Sequence, residues 1–275
     1  MLYANFHTHT PFCRHADGDE EAYIQTAIKN GVAMLGFSDH TPHRFCGGLT
    51  SFTRMTPEEM PQYVERLVTL RERYREQIEI LIGFECECYV DGFADTLALY
   101  EGYPIDYIIH GQHSDIAEPD PRAIHFYHPN PDTDDTLHLY FNRLYAAIDS
   151  GRYTYLAHPD FLYHKNRALY EQEMRSLLLY AKARAIPVEI NLLGMASGRH
   201  YPSPLYLRLL GETGCPAIFG CDAHNPERVA APDEVRAGCQ IVRDWGITLA
   251  KTIDIVNPLT RARRTIDLHI ERLPL

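Results

Sequence analysis

Tyr3-Ala4-Asn5-Phe6-His7-Thr8-His9-Thr10-Pro11-Phe12 is the stretch on which the fold of this chain turns. Its apolar front half has the length of one strand, and it delivers two histidines to the strand's exit. A doubly wound open sheet usually carries a glycine-rich turn at that point and gathers its site where the strand order reverses. Here the turn reads His9-Thr10-Pro11-Phe12, which argues for another α/β architecture.

Working outward, further β-type runs occur at Met34–Asp39, Ile78–Glu87, Ile105–His110, Tyr153–His158, Pro187–Asn191 and Ala217–Asp222; with Tyr3–His7 they make seven. Amphipathic stretches separate them, as in parallel βα units. Glu20–Asn30 stops at Gly31. Thr56-Pro57-Glu58-Glu59 reads as N-cap, N1 proline and capping-box glutamate for a helix to about Gln77, and Ser203-Pro204 repeats the device before a helix ending near Gly214. Asp134–Ser150, Tyr170–Ala185 and Asp233–Trp245 carry helical patterns. Seven alternating units of about 35 residues predict a closed or nearly closed β/α barrel, one domain over residues 1–275, with its site at the C-terminal ends of the strands. The proline-rich stretch Glu118–Asp135, holding His125 and His128, is the one long irregular loop and is expected to be a lid or a mobile segment.

The chain has 26 Lys+Arg against 37 Asp+Glu, a formal net charge of −11, which argues against a nucleic-acid partner held by neutralising phosphates. A small phosphorylated substrate stays compatible, because bound metal ions reverse the local sign of a site. No run has the apolar length of a bilayer span, and Met1–His7 has neither a basic region nor a cleavable hydrophobic segment, so the expectation is a cytoplasmic protein without a membrane partner. Seven cysteines, an odd count without a CxxC pair, argue against a disulfide framework.

Histidine, aspartate or glutamate then appears at nearly every strand exit. Imidazoles plus carboxylates, without paired thiolates, suit Zn, Mn or Fe at an open catalytic centre. His7 and His9, two apart, can project to one side, as can Asp222 and His224. Glu85 and Glu87 face opposite to Cys86 and Cys88; an ionised glutamate inside a barrel is costly unless paired, so Glu85 is expected to bridge two ions while Glu87 reaches solvent at the rim. His158-Pro159-Asp160 and Ser38-Asp39-His40 supply His158 and His40, with Asp39 orienting an imidazole. In His110-Gly111-Gln112-His113 either histidine can serve. His43, His125, His128, His138, His164, His200 and His269 are expected to be solvated or hydrogen-bonded.

His7-Thr8-His9, Phe37-Ser38-Asp39-His40, Gly83-Phe84-Glu85, His113, His158-Pro159-Asp160 and Asp222-Ala223-His224 together resemble the motifs of the polymerase and histidinol phosphatase (PHP) superfamily, and within it the stand-alone histidinol-phosphate phosphatases. The resemblance implies a distorted seven-stranded (β/α)7 TIM-like barrel and three divalent ions, Zn, Mn or Fe. His7, His9, Glu85 and Asp222 would hold the first, Glu85, His113 and His158 the second, and His15, His40 and His224 the third. Either His15 or Asp17 can serve the third ion, with His15 preferred on spacing. The implied activity is hydrolysis of L-histidinol phosphate to L-histidinol and phosphate in histidine biosynthesis, by water ionised at the metals and without a phosphoenzyme. Cys13 and Cys46 lie near the mouth but lack a C-x5-R loop. Asp17, Asp39 and His40 are the candidate catalytic groups, and Arg199 is a candidate grip on phosphate. The proton donor to the leaving alkoxide is open among Asp17, His15 and a metal-bound water. Three rivals stand beside this reading. One is a PHP phosphoesterase acting on phosphotyrosine or a nucleotide. Another is an amidohydrolase-type barrel, which commonly needs a bridging lysine, whereas Lys29, Lys165, Lys182 and Lys251 end no strand. The last is a metal-stabilised scaffold without catalysis.

Overall fold

A computed structural model describes residues 1–45, 49–89, 92–118 and 120–275. Strands β1 (Ala4–Asn5), β2 (Met34–His40), β3 (Glu79–Glu85) and β4 (Tyr107–Ile109) form a parallel sheet in that order. β2 and β3 stay in register from Met34↔Glu79 to His40↔Glu85, which sets two candidate ligands side by side. β5 (Val188–Asn191) and β6 (Ala217–Gly220) form a separate parallel pair. Every residue of β2, β5 and β6 is buried, as parallel strands are when helices cover them.

The expected fifth strand, Tyr153–His158, is a correction: it makes no ladder. Leu156 alone bridges to His110 on one side and to Val188 on the other, helped by Thr154 N–H to Ile108 O at 2.9 Å and Glu189 N–H to Leu156 O at 2.9 Å. Regular pairing cannot run on, because His158 turns to φ 27° and Pro159 has no N–H to donate. Beyond β1, Thr8 bridges to Ala223, with His9 N–H to Ala223 O at 2.9 Å and Ala223 N–H to His7 O at 3.1 Å. The two sheets are therefore linked on both flanks by single bridges, in place of the continuous seven-strand ladder.

Most helix ends carry local stop and start chemistry. Asp19 caps α1 (Glu20–Lys29), Thr133 caps α4 (Asp134–Ser150) and Ser203 caps α7 (Pro204–Thr213), each accepting a backbone N–H of the first turn, and Gly151 and Gly214 close α4 and α7 in the left-handed conformation. α2 (Met60–Tyr74) begins later than its cap signal: Thr56 N–H does donate to Glu59 Oε2 at 2.8 Å, but residues 57–59 form a turn ahead of the helix. α5 (Arg167–Ala183) and α8 (Pro232–Trp245) lie where expected. Two short helices, α3 (Phe93–Tyr100) and α6 (Leu192–Ala196), and an antiparallel hairpin of β7 (Thr252–Val256) and β8 (Arg263–Asp267) carry no clear sequence signal. The stretch expected as a lid or a mobile segment has an anchor near its middle: Phe126 is buried, its N–H donates to His113 O at 2.8 Å, and Asp115 N–H donates to Ile124 O at 3.1 Å.

One buried hydrophobic cluster takes in Phe37 and Phe84 of the sheet together with Leu67 of α2, Leu144 of α4, Leu177 of α5 and Leu210 of α7. Among the described residues no helix is long and apolar enough to cross a membrane. Cys13, Cys86, Cys88, Cys215, Cys221 and Cys239 are free and buried; Cys46 lies outside the described residues.

Candidate metal centre

The strand exits meet around the carboxylate of Glu85, which is the last residue of β3 and is buried. His158 Nε2 lies 2.8 Å and His113 Nε2 3.4 Å from its Oε1. His40 Nδ1 lies 3.1 Å, His9 Nε2 3.5 Å and His7 Nε2 3.6 Å from its Oε2. Asp222, beyond β6, brings a second carboxylate whose Oδ1 is 3.3 Å from His9 Nε2 and 3.5 Å from His7 Nε2. His224 stacks on His9 with ring centroids 4.2 Å apart and sets its Nε2 3.0 Å from His15 Nε2. The sets His7–His9–Glu85, His7–His158–Asp222 and His9–His40–His224 each hold their donor atoms within 4.8 Å of one another. Segments from residue 7 to residue 224 thus deliver donors to one spot at the C-terminal edge of the strands, the face where β/α barrels place their sites.

A surrounding layer fixes these rings, and much of it is invisible to motif reading. Glu189, interior on β5, lies with Oε1 2.7 Å from His7 Nδ1, while its Oε2 accepts from His158 N–H and from Asn191 Nδ2, both at 2.9 Å. An acidic residue two before Asn191 in an apolar run was the available signal. Asp39 accepts from Thr10 N–H at 3.1 Å and from the Thr10 hydroxyl, and stands 3.7 Å from His9 Nδ1. Glu87 is a correction: it does not reach solvent at the rim but is 1% exposed. The guanidinium of buried Arg54 pairs with it at 2.7 and 3.0 Å, and His113 Nδ1 lies 3.0 Å from its Oε1, so the charge is matched where it sits.

Backbone is shaped to the same end. A β-carbon at Gly111 would collide with the Glu85 carboxylate, and one at Gly220 with that of Glu189. His158 at φ 27° and Asp222 at φ 47° adopt conformations that side-chain-bearing residues rarely take, which is how backbone strain gathers at functional sites.

The structure separates the alternatives left open by sequence. His113 enters the cluster; His110 is buried away from it, its Nε2 3.1 Å from Gln112 Oε1. His15 borders the cavity above the cluster, whereas the Asp17 side chain is exposed, and Asp17 joins only by its backbone N–H to His224 O at 2.8 Å. That cavity is about 400 Å³ in volume, with Thr53, Arg54, Glu118, Phe161, Arg199 and Tyr201 in its walls. Arg199 is exposed, hydrogen-bonded to the Tyr201 hydroxyl. Of the histidines expected to be solvated or hydrogen-bonded, His125 lines the cavity, His164 is buried against Thr133 O at 3.0 Å and His200 is bonded to Phe161 O at 2.8 Å.

The electrostatics of this floor call for positive charge. Burial pulls the His7 imidazole down, yet Glu189, Asp222 and Glu85 outweigh it and carry the ring up to about 10. Burial would raise Glu85, but His113, His40 and His7 hold it well below the usual carboxylate range; Asp222 is held low against burial by His7 and His9. Burial, joined by the positive charge of His9, keeps His40 well below the ordinary imidazole value and takes His224 down to about 3, so both are neutral donors at pH 7. Meanwhile His7 Nε2, both ring nitrogens of His9 and His40 Nδ1 are buried without a hydrogen-bond partner. Orphaned polar atoms of this kind are costly to bury unless something binds them, and convergent imidazoles and carboxylates suit divalent transition ions. The residues present fit such ions.

Comparison with known proteins agrees. A "Probable histidinol-phosphatase" of Deinococcus radiodurans is 25% identical over 232 residues, covering 81% of this chain and 86% of the relative. One of the same name from Schizosaccharomyces pombe is 27% identical over 251 residues, covering 81% of each chain. A solved histidinol phosphate phosphatase of Lactococcus lactis, complexed with Zn, L-histidinol and phosphate, shares the fold at a TM-score of 0.68 and 18% identity, covering 94% of this chain and 97% of that one. The family model described as the PHP domain matches residues 5–192, so Asp222 and His224 join the cluster from beyond the matched part. That match spans well over half of the sequence, and the chain belongs to the PHP family.

Proposed function

We propose that this chain is a metal-dependent phosphomonoesterase that hydrolyses L-histidinol phosphate to L-histidinol and phosphate. The observation that carries the reading is the convergence of His7, His9, His40, His113, His158 and Asp222 on Glu85 at the floor of a cavity with Arg199 in its wall. The names of the two relatives aligned over most of this chain support the substrate. His7, His9, Glu85 and Asp222 would hold one ion, Glu85, His113 and His158 a second, and His15, His40 and His224 a third. When bound, such ions neutralise phosphoryl charge during in-line attack and lower the pKa of bound water to roughly 7.

The protein's own groups do the rest. Glu189, Asp39 and Glu87 aim the rings of His7, His9 and His113. Arg199 offers a fork of donors to phosphate oxygens, a geometry that suits guanidinium better than ammonium. In the wall, Glu118 shares the guanidinium of Arg54 with Glu87, which places negative charge beside the cavity. A leaving group carrying an ammonium or imidazolium gains from that charge. The same reading takes the linked strands as a distorted (β/α)7 barrel with residues 153–158 as an irregular fifth stave, all in one domain, and the free cysteines support a reducing, cytoplasmic setting.

Phosphate release tests the reading. L-Histidinol phosphate should give a higher kcat/KM than phosphotyrosine or nucleoside monophosphates, chelation should abolish turnover, and Zn or Mn should restore it. Absence of turnover in metal-loaded protein, with stability lost on chelation, would instead mark a metal-stabilised scaffold.

A further inference from the structure

The 3-10 turn Pro11–Cys13 brings a thiol into the corner occupied by His15 and His224. Cys13 is 0% exposed, and its sulfur lies with one ring nitrogen of each histidine inside a common 4.8 Å; it also forms such a set with His9 and Asp39. His15 Nδ1 is 2.6 Å from Cys13 O and His224 Nδ1 is 3.0 Å from Asp222 O. Carbonyl oxygens only accept, so both Nδ1 atoms carry the proton and both Nε2 atoms present lone pairs. Those lone pairs face each other at 3.0 Å, which is repulsive unless a cation or a proton lies between them. Both ring nitrogens of fully buried His9 are also unpartnered beside this corner.

We propose that Cys13 Sγ is a ligand to a cation held with His15 and His224, a soft donor in a centre otherwise built from nitrogen and oxygen. The proposal rests on the metal-centre reading above. On binding, the thiol proton leaves to solvent and the thiolate takes its place on the ion. A thiolate favours Zn, Fe(II) or Co(II) over Mn or Mg, so this position is the selective one of the centre.

Cobalt supplies the test, read by absorption rather than turnover. Co(II)-loaded wild-type protein should show a thiolate-to-cobalt charge-transfer band in the near ultraviolet beside the visible ligand-field bands. In Cys13→Ser the near-ultraviolet band should vanish while visible bands persist, and the preference for Zn over Mn should fall at least about tenfold. Visible bands without the near-ultraviolet band in wild type would overturn the role of Cys13 and leave the metal centre standing; so would a band retained in Cys13→Ser. Absence of all cobalt bands would overturn both. The wild-type spectrum decides even if the variant fails to fold.

Discussion

Glu189 holds two parts of the centre at once: one carboxylate oxygen faces the ring of His7 and the other binds the backbone of His158. Replacing it by glutamine keeps the shape and removes the charge that sets the His7 tautomer and basicity. Glu189→Gln is expected to lower metal affinity by about 10–100-fold in competition with a chelator, and wild-type affinity would contradict the role given to it. The ring-bearing residues were legible because H-x-H and D-x-H are local patterns, and a spacing of two at a strand exit already places both side chains together. Their supports were less so. Glu87 looks solvent-bound in isolation, since its partner Arg54 lies 33 residues away in a stretch without periodicity. His113 could be told from His110 only by seeing which ring Glu85 and Glu87 face.

Among the elements, β3 is tightly constrained by what lies beside it. The approach of Gly111 to Glu85 leaves no room for a side chain, and the carboxylate cannot swing away freely because His158 and His40 flank it. Gly111→Ala should therefore displace Glu85 and reduce both metal content and turnover, with far-ultraviolet dichroism unchanged. Full metal occupancy in that variant would count against Glu85 as the bridging group. Helix ends were readable where a cap and a terminating glycine spoke together, as in α7. Strand identity was less secure: residues 153–158 have the composition of a strand, but a ladder needs two consecutive paired positions, and Pro159 with the turn at His158 denies them. The β7–β8 hairpin escaped notice because β8 is exposed and charged, Arg263-Arg264-Thr265-Ile266-Asp267, without the alternation that marks a half-buried strand.

For the whole molecule, paired buried carboxylates tie stability to pH. Burial would raise Glu87 and Glu118, but Arg54 leads the groups that hold both below the ordinary value of 4.5. A depressed carboxylate contributes stability above its unfolded value and loses it as pH falls through the folded one. Thermal midpoints should therefore fall as pH drops below about 4.5, and less steeply in Glu118→Gln; an equal slope in the variant would contradict the linkage. The acidic chain as a whole, with its net charge of −11, gains from every cation bound at the centre. Anomalous X-ray diffraction from zinc-supplemented crystals tests that centre most directly. Peaks at about 2.0–2.2 Å from His7, His9, Glu85, His158 and Asp222 donor atoms are the predicted result; zinc-rich crystals with no anomalous peak near these side chains would contradict it.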